Sequence, residues 1–108
     1  MLPLHIALCQ HNASIEVILA LLSAYPEGSR EMDSSNNRLP LHIACQHNNA
    51  PIEVIAALLS AYPEGAREKD KSNMLPLHIA CQSKAPIKVI SALLSKYPEG
   101  AREKVNQI

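Results

Sequence analysis

One hexapeptide, Leu-Pro-Leu-His-Ile-Ala, occurs three times in this chain, starting at Leu2, Leu39 and Leu75, so that its copies lie 37 and 36 residues apart. A second string, Tyr-Pro-Glu-Gly, starts at Tyr25, Tyr62 and Tyr97, at spacings of 37 and 35. Self-similarity at such a period is the signature of stacked supersecondary units, each too small to bury its apolar face alone. The chain therefore reads as one repeat domain over residues 1–108, with units at 2–38, 39–74 and 75–108.

Spacing inside the unit separates rigid from variable parts. Ile15, Ile52 and Ile87 each precede the unit's Tyr by 10 residues. The stretch before that segment is one residue shorter in the third copy, and the stretch after the Gly is one shorter in the second. Length variation marks loops. The constant segment carries Ile52, Ile55 and Leu59 at helical spacing. Pro51 and Pro86 suit its first turn, and Tyr62-Pro63 stops it. Gly65 supplies a flexible or left-handed position beyond. The first element, Pro40 to Gln46, is a shorter helix of about two turns, with Pro40 (Pro76 in copy three) in its first turn. The predicted class is all-α: three stacked helix-turn-helix repeats joined by long loops.

Composition agrees. The chain has no Trp or Phe and three Tyr, yet 47% of it is apolar. Thin interfaces between repeats suit Ala, Leu, Ile and Val. Ten basic and ten acidic residues cancel, which argues against nucleic acid and anionic membranes as partners. No apolar run is longer than that from Val17 to Leu22, which is far too short to span a bilayer. Three scattered cysteines and no secretory signal give the expectation of an intracellular, cytoplasmic setting.

The segment Asp70-Lys71-Ser72-Asn73-Met74-Leu75-Pro76-Leu77-His78-Ile79-Ala80-Cys81 resembles the ankyrin-repeat pattern D-x-x-G-x-T-P-L-H-x-A-A. Ile87-Lys88-Val89-Ile90-Ser91-Ala92-Leu93-Leu94 is similar to that family's V-V-x-x-L-L helix. Tetratricopeptide repeats have a similar period, but their Trp, Gly and Tyr positions are absent. This chain departs from the ankyrin pattern in three ways. The family's Thr is Leu2, Leu39 or Leu75, which removes a capping hydroxyl. Its Gly is Asn37 or Asn73, the next-best residue for a left-handed backbone. Its usual ending is replaced by Tyr-Pro-Glu-Gly-Ala/Ser-Arg-Glu, which lengthens the period from about 33.

The resemblance implies an ankyrin-like solenoid acting as a protein-interaction module. His5, His42 and His78 are then structural, bonding backbone between units. Cys45 and Cys81 fill a small buried slot. The partner surface comprises the turn tips and exposed first-helix ends: Asn36, Arg38, Gln46 and His47, then Lys71, Ser72, Met74, Gln82 and Ser83. The partner is another protein. A structural spacer within a larger protein is the alternative.

Other chemistry is poorly supported. His42 with Cys45, and His78 with Cys81, share a helix face, but a metal site needs three or four ligands and the next pair is a repeat away. No cofactor is expected. Catalysis needs one asymmetric constellation, whereas polar groups here are repeated or in loops. Each Tyr is expected to pack over the neighbouring unit with a wet hydroxyl. Charge is uneven: −2 in unit one (four acids, two bases), −1 in unit two (four, three) and +3 in unit three (two, five). Glu53 and Lys88 share a register and are expected to face each other across units. Apolar end units without polar caps imply an excerpt of a longer array and, with opposite end charges, head-to-tail self-association.

Overall fold

The structure, a computed structural model, describes residues 3–9, 14–34, 37–46 and 51–103. Among the described residues six α-helices form three hairpins: α1 (Pro3–Cys9) with α2 (Ile15–Ala24), α3 (Pro40–Gln46) with α4 (Ile52–Ala61), and α5 (Pro76–Gln82) with α6 (Ile87–Lys96). The described residues contain no strand, so the all-α solenoid predicted from the repeats is the observed architecture. A turn of 3-10 helix follows each second helix, at Pro26–Arg30, Pro63–Arg67 and Pro98–Arg102.

Local chemistry sets these boundaries. The Ser14 hydroxyl accepts the Val17 N–H at 3.2 Å and caps α2. Pro51 and Pro86 occupy the capping position itself, in extended backbone, one residue before the helical turn expected for them. At the other end the Tyr25, Tyr62 and Tyr97 N–H groups donate to Leu21, Leu58 and Leu93, and the following proline redirects the chain into the 3-10 turn. Gly65 departs from the expected left-handed role, since no described glycine has positive φ. It is buried in the turn, and a Cβ there would lie 3.3 Å from the Tyr62 ring and 3.4 Å from Leu39. Close packing, and not backbone freedom, favours the glycine here.

The α5 end shows a different device. Lys84 N–H bonds the Cys81 carbonyl and Ala85 N–H bonds the Ala80 carbonyl, with Lys84 left-handed at φ 58. This is the Schellman closure, which favours glycine at that residue. Lys84→Gly is therefore expected to raise stability by about 0.5–1 kcal/mol, read as a higher urea midpoint.

First helices stack α1 on α3 on α5, and second helices stack α2 on α4 on α6. The middle repeat is covered on both sides, so Pro40 through Cys45 are all buried. A seven-residue helix is not stable alone; it persists because each buried Leu or Ile contributes about 1.5–3 kcal/mol on leaving water. Leu39, Ile55, Leu58 and Leu75 are among the largest fully buried side chains.

Polar contacts repeat along the stack. The Arg30 guanidinium lies over the Tyr62 ring, 5.3 Å from its centre, and Arg67 lies over Tyr97 at 5.5 Å. The tyrosine hydroxyls are bonded and not simply wet: Tyr62 donates to Glu68 at 3.0 Å and Tyr97 to Glu103 at 2.6 Å. Among the described residues the ion pairs between repeats are Arg38–Asp70 at 3.1 Å and Lys69–Glu103 at 3.4 Å. Glu53 and Lys88 form none, because equivalent residues on stacked helices start roughly 8–10 Å apart and both point to solvent.

Candidate functional site

The loop leaving each 3-10 turn reaches a tip and returns to the next first helix. In the second repeat the tip is built around Asp70, whose carboxylate accepts the Ser72 N–H at 2.8 Å and the Met74 N–H at 3.0 Å. Backbone bonds from Asn73 N–H to Asp70 and from Asp70 N–H to Met74 close the turn, with Asn73 left-handed at φ 64. The first tip is one residue longer. There Asp33 N–H bonds the Arg38 carbonyl, Arg38 N–H bonds Asp33 Oδ1, and Asn37 is left-handed at φ 53. Asparagine thus performs the turn where the ankyrin pattern has glycine.

Histidines pin these loops to the first helices. His42 is buried, and its Nδ1 accepts the Leu39 N–H at 3.1 Å. The proton is therefore on Nε2, which donates to the Glu68 carbonyl at 3.0 Å and the Met74 carbonyl at 3.2 Å. His78 repeats the arrangement with Leu75 N–H at 2.9 Å and the Glu103 carbonyl at 3.0 Å, and His5 Nε2 meets the Glu31 carbonyl at 2.9 Å. Leu at the capping position offers no hydroxyl to the first turn, and the histidine ring three residues on accepts the capping residue's own N–H. The accepting carbonyls belong to the histidine's own unit, in the loop that leads to the next one.

The expected partner-contact residues do not form one uniform group. Lys71, Ser72, Gln46 and Gln82 are exposed and Ser83 is half-buried, around the second tip and the first-helix ends. Arg38 is half-buried; its guanidinium bonds both Asp70 and the Gln46 side-chain oxygen, so it joins two repeats. Met74, expected at an exposed tip, is buried in the core instead, because the residue after the left-handed Asn73 turns back under His42. Asn36 and His47 lie outside the described residues. Pro40 and Pro76 are buried at the starts of their helices. The Asp70 clamp was missed in reading the sequence, although Asp33 and Asp70 at one register are a visible signal for it.

The cysteines differ sharply. Cys45 is buried between repeats, and burial pushes its thiol up to about 12, so it stays protonated. Cys81, expected in the same buried slot, is exposed because no described residue covers that side of α5. Among the described residues no three His, Cys, Asp or Glu side chains converge as a metal site would require. No helix among them is long and apolar enough to cross a membrane.

Burial disfavours the imidazolium form of His42 and lowers its pKa, against the opposing pull of Asp70 and the two carbonyls. For Asp70, burial would raise the carboxyl, but the Met74 N–H, Arg38 and the Ser72 N–H together hold it below its ordinary range. The signs give a pH profile. Below about pH 6.5 the unfolded chain takes a proton on His42 that the fold resists, so stability is full above that value and falls as pH drops. Asp70 adds a loss only below about pH 3.8. The urea midpoint is expected to be lower at pH 5.5 than at pH 7.5, with a shallower slope in His42→Gln.

Comparison with known proteins agrees with this geometry. A family model described as ankyrin repeats, in 3 copies, matches residues 4–106. No curated protein matches the chain. Ankyrin repeats are in general non-catalytic protein–protein interaction modules. With three stacked helix pairs, histidine-pinned loops and a family match over nearly its whole length, the chain belongs to the ankyrin-repeat family.

Proposed function

We propose that this chain is a non-catalytic module that binds a protein partner through its turn tips and the ends of its first helices, in a reducing intracellular compartment. The observation that carries the reading is the second tip. Four hydrogen bonds and the His42 clamp hold its backbone, while Lys71, Ser72 and Asn73 stand exposed on it. A surface ordered before binding loses little entropy on binding, so few contacts suffice. Gln46, Gln82 and Ser83 extend that surface along the stack. The spacer reading draws support from Arg38 and Gln46, which bond each other within the molecule. Immobilised wild-type chain and a Lys71→Glu/Ser72→Ala/Gln82→Ala variant separate the two. A protein retained by the first and lost by the second, at equal helicity, supports recognition by the tips. Identical retention by both supports the spacer.

A further inference from the structure

Comparing equivalent residues across the three repeats exposes the two halves of a junction. Ile43 and Ile79 are buried, at 4% and 3% exposure, whereas Ile6 at the same register is 49% exposed. Val54 and Val89 are at 1% and 2%, against 49% for Val17. Tyr25 is likewise 49% exposed, while Tyr62 and Tyr97 lie under the arginine of the preceding repeat. These residues therefore form the face that a repeat presents to its predecessor. The opposite face shows the converse in the third repeat. Cys81 and Ala101 are exposed where Cys45 and Ala66 are buried, and Ile90 and Leu94 are half-covered where Ile55 and Leu59 are buried. Together with Leu77 they line a groove of about 550 Å³. Arg102 holds the register of Arg30 and Arg67 and is exposed beside it.

We infer that the groove of the third repeat receives the first repeat of a second copy of this chain. The two faces are complementary because they are the halves of a junction made twice already inside the molecule. Ile6 and Val17 enter the groove, and Arg102 lies over the partner copy's Tyr25 ring, as Arg30 lies over Tyr62. Charge favours this occupant: the first repeat carries −2 and the third +3. The faces differ, so the contact is heterologous and does not close; assembly continues as an open chain.

Analytical ultracentrifugation of this 108-residue chain over a dilution series tests this. The average mass is expected to rise with concentration past the dimer. Val17→Glu spoils one face and Cys81→Arg the other, and each alone is expected to remain a single chain at every concentration. Mixed in equal amounts, the two variants are expected to form a dimer and nothing larger, since each keeps one intact face. All altered positions are exposed, and far-UV circular dichroism verifies folding. Tyr25→Lys and Ala101→Arg form a second pair for use if either variant unfolds. A wild-type chain that stays monomeric overturns the inference, as does a single variant that still associates or a mixture that does not.

Discussion

Replacing His42 with alanine is expected to destabilise the protein by about 3–5 kcal/mol. The ring is fully buried, and its removal leaves the Leu39 N–H and the Glu68 and Met74 carbonyls without this partner, around a new cavity. Domains of this kind hold roughly 5–15 kcal/mol in all, so the loss is a large part of the total. His78→Ala removes one N–H bond and one carbonyl bond at a half-exposed position, and is expected to cost only about 1–2 kcal/mol. The asymmetry follows from position. His42 belongs to the middle repeat, which contributes to both junctions, and in a nearest-neighbour stack its loss uncouples two interfaces. Urea unfolding followed by circular dichroism reads both midpoints. Equal shifts for the two histidines would contradict this account.

Asp70→Ala is the second large effect, expected at about 3 kcal/mol. The carboxylate accepts from Ser72 N–H, Met74 N–H and Arg38 Nε, and its side chain is 2% exposed. Removing it releases the tip and unties the first repeat from the second. Arg38→Ala is expected to cost less, about 1 kcal/mol, because the guanidinium is partly solvated and Asp70 keeps its two backbone bonds. The double variant should cost less than the sum, by about 1 kcal/mol, since the pair bond can be lost only once. Strict additivity would show that the two residues do not couple.

Particular residues mark how far the sequence could be read. The Pro40–Gln46 and Ile52–Ala61 helices were legible because Pro, the Tyr-Pro pair and the apolar period act locally and were written out three times. The left-handed asparagines at 37 and 73 were legible because they stand where the ankyrin pattern has glycine, and asparagine is the next-best residue for that backbone. The 3-10 turns at Tyr-Pro-Glu-Gly were not, since glycine there reads as backbone freedom and only the packed Leu39 side chain and Tyr62 ring show that it answers to space. Part of the expected surface fared likewise. Lys71, Ser72, Gln46 and Gln82 are exposed as surface residues must be, whereas Met74 and Arg38 are drawn inward by the core and by Asp70.

Sequence alone determined the number of units, their helices and their family pattern, because each depends on short-range preferences that repetition amplifies. Tertiary structure decided which copy of a repeated residue is buried. Cys45 and Cys81, or Val17 and Val54, are identical in type and register, and they differ in exposure only through what is stacked against them. Burial in a one-dimensional array belongs to the junction between units, and a junction is a relation between copies that no single copy of the motif encodes.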